Sequence, residues 1–236
     1  MLRRIFITAL IAGTIAGLFA AGLQHLKLIP LIAAAEVYEA AGAQADHQHG
    51  AAPAHDAATA AHDAATSEWE PAPGIERAFY TLMADLLAGI GFALLLAGAV
   101  ALARSRGYAI NARSGLLWGA AGFAVFALAP AIGLPPELPG MSAAELAARQ
   151  QWWLLTAAAT AAGLGVVIFA RPTPLRVAGA ALIVLPHLIG APAAPHGATG
   201  VPAELAAEFA TASLATAAAF WLLLGSVSGW LYRRFE

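Results

Sequence analysis

Six apolar runs, residues 5–26, 80–103, 115–134, 152–170, 175–189 and 209–232, leave this chain few folds to choose from. A spanning helix needs about 20 apolar residues, at 1.5 Å of rise each, to cross the hydrocarbon core of a bilayer. In lipid every backbone N–H and C=O must be satisfied within its own segment, so such runs read as helices. The fifth run is the shortest. Pro172 and Pro174 bound it and Pro186 lies near its far end, so it is thin for a bilayer unless its ends snorkel. Composition agrees, because 60% of the residues are apolar and only 11% are charged, against roughly 25% charged in soluble domains. The expected fold is all-α: one integral membrane bundle over residues 1–236 with six transmembrane helices. A five-span reading would put the C-terminal arginine pair on the other face.

Basic residues orient the runs. Arg3, Arg4, Arg104, Arg106, Arg113, Arg171, Arg176, Arg233 and Arg234 fall on one side, whereas Lys27, Arg77 and Arg149 fall on the other. The positive-inside rule then places both termini in the cytoplasm. All acidic residues except Asp85 and Glu236 lie in outer segments or at helix mouths. The N-terminal "MLRR" and the run after it resemble a signal peptide, but the run is long and lacks a clean cleavage site, so an uncleaved first helix is expected. Gly13-x-x-x-Gly17 and Gly225-x-x-x-Gly229 suggest that the first and last helices approach closely. Trp152, Trp153, Trp230 and Tyr232 stand where interfacial aromatic belts occur. No sequence repeat relates the first three runs to the last three.

Several chemistries are excluded. The chain has no cysteine, so disulfides, thiolate metal sites and cysteine nucleophiles are absent. Its one lysine, Lys27, does not stand in a GxxxxGK[ST] loop, so the chain is not a P-loop ATPase. It contains no H-E-x-x-H, G-x-S-x-G or G-x-G-x-x-G motif, and no enzyme activity is expected. Nor is a permanently bound cofactor or a nucleic-acid partner.

The long outer segment, residues 32–78, contains the low-complexity tract "DHQHGAAPAHDAATAAHDAAT" at 46–66. It is expected to be disordered. His47, His49, His55 and His62 stand there beside Asp46, Asp56 and Asp63. Imidazole with carboxylate suits divalent ions such as Zn, Ni, Co and Cu(II). On a helix His55 and His62 would be roughly 10 Å apart, too far for one ion. The tract is expected to collect metal weakly at no fixed site; a solvated linker is the alternative. Just before it, Glu36 and Glu39 share a helix face at i, i+3, either as a cation-admitting pair or as a solvated surface.

Ionisable groups within spans are costly and mark function. Asp85 lies one to two turns into the second run, and His187 follows Pro186 near the outer end of the fifth. Positive-inside topology puts both at similar depth beneath the acidic face. The bland readings are a hydrated helix-start acid for Asp85 and an interfacial histidine with a backbone partner for His187. His25, at the outer end of the first run, with Glu204 and Glu208 would complete an outward vestibule, and His196 in a Pro/Gly loop is read as solvated.

The segments "MLRRIFITALIAGTIAGL", "PLIAAAEVYE", "LPPELPG", "ARQQWW", "LPHLIGAP", "VPAELAAEFATASLAT" and "GWLYRR" resemble the CbtA family of predicted cobalt transporter subunits. The likeness runs along nearly the whole chain and is weakest over residues 42–72. Glu36, Glu39, Glu137, Trp152, His187 and Glu204 stand in the matching motifs. The resemblance implies a multi-pass bacterial inner-membrane protein that takes up Co²⁺ in connection with cobalamin metabolism. It also implies a small histidine-bearing CbtB-like partner subunit. Cargo chemistry alone leaves Ni²⁺ or Zn²⁺ open, and a metal-sensing scaffold or an intramembrane enzyme are the competing functions.

Overall fold

The first helix does not stop where its apolar run stops. The computed structural model describes residues 2–49, 71–72, 74–109, 111–194 and 200–234, with residue 2 and residues 40–49 as backbone only. Within these, α1 (Leu2–Leu23) passes through a π turn (Gln24–Leu28) straight into α2 (Ile29–His49). Next come α3 (Ile75–Ser105), α4 (Ala112–Phe123), a second π turn (Ala124–Leu128) and α5 (Ala129–Gly133). The chain ends with α6 (Leu146–Phe169), α7 (Thr173–Ile189) and α8 (Ala203–Arg234). There is no strand among the described residues.

Proline accounts for both π turns. Pro30 and Pro130 each stand two residues beyond such a turn. A proline inside a helix donates no N–H, and its ring presses on the carbonyl four residues back. Widening the preceding turn relieves the clash and re-pairs the backbone. The Ile29 N–H accordingly reaches the Gln24 carbonyl, and the Ala129 N–H reaches that of Ala124, each five residues away.

Packing follows from small residues. Lipid is as apolar as leucine, so helices in a membrane associate mainly by close van der Waals contact. Ala9, Ala12, Ala16 and Ala20 of α1 are buried against Ala93, Leu96, Ala97 and Val100 of α3 and against Trp221 and Leu224 of α8. The large side chains face outward instead: Leu10, Leu18, Leu95, Leu117 and Leu154 are all more than half exposed. A water-soluble domain would reverse that arrangement. Glycines bring backbones into direct contact. A Cβ on Gly13 would lie 2.6 Å from the Ile90 Cα, and one on Gly17 would lie 2.8 Å from the Asp85 carbonyl oxygen. A Cβ on Gly225 would lie 2.6 Å from the Gly119 nitrogen, and one on Gly179 would lie 2.9 Å from the Gly163 oxygen.

These contacts correct the expected pairing. Gly13 and Gly17 serve the α1–α3 contact, and Gly225 and Gly229 serve α4–α8 against Gly119, Gly115 and Asn111. The first and last helices do meet, but without glycine on glycine. There Arg4 donates to the Tyr232 carbonyl, and Arg4 and Arg104 stand 5.5 and 5.7 Å from the Tyr232 ring centre. The aromatic belt is also only partly there. Trp230 is exposed, whereas Trp152 and Tyr232 are buried between helices.

Both ends of the chain meet at that contact, so the path between them crosses the bundle an even number of times. Among the described residues five continuous helical stretches are long and apolar enough to span a membrane, and α7 is shorter. At 17 residues α7 measures about 25 Å. It nonetheless runs back along α6, from Gly179 beside Gly163 to His187 beside Trp152. The helix continues to His49 and α3 begins at Ile75, so both ends of the segment 32–78 are helical. Its histidine tract beyond His49 lies outside the described residues.

Side chains cap the starts of α4 and α6. Asn111 and Ser114 form a reciprocal box at α4. The Glu145 carboxylate accepts from the Ala147 and Ala148 N–H groups at 2.9 and 2.8 Å, which holds its pKa below the ordinary 4.5. A depressed carboxyl stabilises the fold above its unfolded pKa and loses that contribution as pH falls through the folded value. Glu145→Gln is therefore expected to melt below wild type at pH 7 in detergent, with the gap closing in acid. Gly119→Leu is expected to lower the melting temperature sharply because it drives α4 off α8. Gly98→Ala, which has nothing within 4 Å of the added Cβ, should leave it unchanged or raise it.

Candidate metal path

Asp85 occupies the eleventh position of α3, about 15 Å along it. The close approach of Gly17 to its carbonyl seats it against α1. Its Oδ1 accepts a 2.8 Å hydrogen bond from the Gln24 amide, and its Oδ2 is buried with no protein partner. Gln24 opens the first π turn, so the proline at position 30 shapes the very stretch that partners the acid. A carboxylate in a span, half satisfied by a neutral amide, is a position where a cation would complete the pairing.

His187 lies in the last turn of α7, directly after the buried Pro186. Its ring meets the Trp152 indole edge-on, with centres 5.9 Å apart. His187 Nδ1 is buried without a protein partner, and so is Trp152 Nε1. An imidazole nitrogen left free is a competent ligand for first-row divalent ions. Asp85 is thus partnered by the first π turn and His187 by α6. The two residues sit in different helix pairs.

The same end of the bundle carries further acids among the described residues. Glu36 pairs with Arg77 at 3.0 Å, tying α2 to the start of α3. Glu137 pairs with Arg149 at 2.7 Å, tying the segment after α5 to α6. Glu39 is exposed beside Gly140, where a Cβ would stand 3.2 Å from that of Glu39. Glu204 and Glu208 line a cleft of about 500 Å³ with Val37 and Tyr38 of α2, and His25 is exposed in the first π turn. A larger cleft of about 720 Å³ opens between α5, α6 and α8, with the Glu137–Arg149 pair in its wall. Phe126 and Trp153 of its lining meet at 6.1 Å, and Phe126 also stacks on Trp221 at 5.4 Å.

Among the described residues no group of three or more His, Asp or Glu side chains is placed to hold one ion. The backbone at His47 and His49 is helical. Their side chains, with His55, His62 and His196, lie outside the described residues. Two features went unread in the sequence. Gln24 looked like an ordinary helix residue, and its signal was Pro30, six residues on, which widens that turn. Trp152 passed for a belt residue although it stands one helix away from His187.

No curated protein and no solved structure matches the chain. The family model described as probable cobalt transporter subunit (CbtA) matches residues 2–233, nearly the whole chain. Helices that can span a membrane and small-residue packing accord with that description. The chain belongs to the CbtA family of probable cobalt transporter subunits.

Proposed function

We propose that this chain is the membrane subunit that carries Co²⁺ inward, with Asp85 and His187 as its transient ligands. The observation that carries this reading is Asp85 Oδ2, a carboxylate oxygen buried within a membrane-length helix and lacking a protein partner. Gln24 orients the carboxylate and leaves one oxygen for the ion. The ligands are few and of mixed type, so they hold an ion loosely enough to release it, as transport demands. The tract at 46–66 concentrates metal at the outer face, and Glu36, Glu39, Glu204, Glu208 and His25 make the approach acidic or imidazole-bearing. The nine basic residues that segregate with both termini support an orientation with those termini in the cytoplasm and the acidic end outside. The membrane is the bacterial inner membrane, the partner is a small histidine-bearing CbtB-like subunit, and the imported cobalt serves cobalamin metabolism.

The test is radiolabelled Co²⁺ uptake into proteoliposomes holding the full chain with and without that partner. Uptake in either case supports the proposal, and none in both would sink it in favour of a sensing or scaffold subunit. Asp85→Asn is expected to reduce uptake at saturating metal about tenfold, the loss of roughly 1.4 kcal/mol of ion stabilisation. His187→Ala should act in the same regime. Deleting residues 46–66 should lower uptake only when Co²⁺ is limiting, which a concentration series of initial rates resolves.

A further inference from the structure

Two threonines in the middle of α6 are buried in an unusual way. Thr156 and Thr160 are 0% and 2% exposed, and neither hydroxyl has a protein partner. A helical threonine has a ready partner in the carbonyl one turn back. Thr81 donates to the Arg77 carbonyl at 2.9 Å, and Thr211 donates to that of Ala207 at 2.8 Å. Thr156 and Thr160 forgo that bond.

Their placement gives the lapse a direction. Trp152, Thr156 and Thr160 recur every fourth residue, so they lie along one face of α6. The stripe abuts α7 at both ends. Trp152 meets His187 at one end, and Gly163, three residues beyond Thr160, meets Gly179 at the other. Trp152 Nε1, His187 Nδ1 and the two hydroxyls therefore share a single seam, about 12 Å long from Trp152 to Thr160. On the α7 side Pro186 supplies no N–H to the Leu182 carbonyl, which leaves a further acceptor in the same helix pair. Buried polar atoms normally find partners, and several orphans on one seam point to a polar occupant.

We infer that the α6–α7 seam is the inward continuation of the cargo path beyond His187. A hydrated divalent cation leaving the imidazole exchanges bound waters for the Thr156 hydroxyl and then for that of Thr160. The Trp152 N–H donates to a water that remains on the ion. Neutral oxygens suit this task because they replace hydration without trapping the charge. The assignment rests on the cation-transport reading above and adds to it the two residues that receive the ion.

Valine matches threonine in shape and lacks only the hydroxyl, so function and stability should move apart. Thr156→Val with Thr160→Val is expected to melt at or above the wild-type temperature, because a partnerless buried hydroxyl is removed. Saturating Co²⁺ uptake should nonetheless fall about tenfold. Thr156→Ser, which keeps the hydroxyl, should retain uptake. Thr8→Val removes an equally buried, partnerless hydroxyl from α1 and should also leave uptake at the wild-type rate. Wild-type uptake by the double valine variant would overturn the proposal. A second arm needs no transport and so separates this proposal from the reading it rests on. The chain contains no cysteine, so Thr156→Cys and Thr160→Cys each carry the sole thiol. Both should react with a small cationic thiol reagent in membranes, and Co²⁺ should slow the reaction about fivefold where Mg²⁺ does not. Ala157→Cys, on the neighbouring face, should stay unreactive. Thiols at 156 and 160 as inert as that control, or reactive without cobalt protection, would overturn it.

Discussion

Backbone must touch backbone for this bundle to hold, because lipid removes the usual reward for hiding large apolar side chains. Three sets of glycines meet that need. Gly13 and Gly17 press on α3, Gly115 and Gly119 press on Gly225 and Gly229, and Gly163 meets Gly179. The rest of the architecture follows. α8 lies against both α1 and α4, alanines fill the interior, and the leucines turn outward. A methyl group at one of these seams displaces a whole helix, whereas one at Gly98 meets nothing.

The same local device occurs twice within that framework. Each of two helices contains a proline, and each meets it with a π turn ending two residues earlier. The first turn brings Gln24 to Asp85. The second brings Phe126, which lines the larger cleft, onto Trp221. Beyond each proline an acid pairs with an arginine near the start of the next long helix: Glu36 with Arg77, and Glu137 with Arg149. Each pair closes a helix hairpin at the acidic end. The recurrence is one of devices rather than of aligned residues, which is why the sequence shows no repeat.

The function proposed for this bundle rests on what is left unsatisfied. The caps at α4 and α6 pair their groups fully, yet Asp85 Oδ2, His187 Nδ1 and the hydroxyls of Thr156 and Thr160 have no protein partner. Under that proposal the arrangement favours transport. A fully closed cage would hold its ion, while scattered single ligands pass it on.

The number of helical runs, the segregation of arginines, and the candidacy of Asp85 and His187 were all legible in the residues, because hydropathy and charge act over short windows. Gly13 and Gly225 were legible as contact points, but not their partners: a small-residue motif says that a backbone can approach and not which backbone does. Gln24 could not be paired with Asp85 across 61 residues of chain. Nor could spacing alone show that Thr156 and Thr160 are buried rather than facing lipid, or that Trp152 meets His187 of α7. The sequence by itself determined that the chain crosses a membrane as helices and which ionisable groups lie within them, since lipid imposes those terms on each segment separately. Only the tertiary structure decided which polar atoms are left without partners, because that depends on the helix each face packs against.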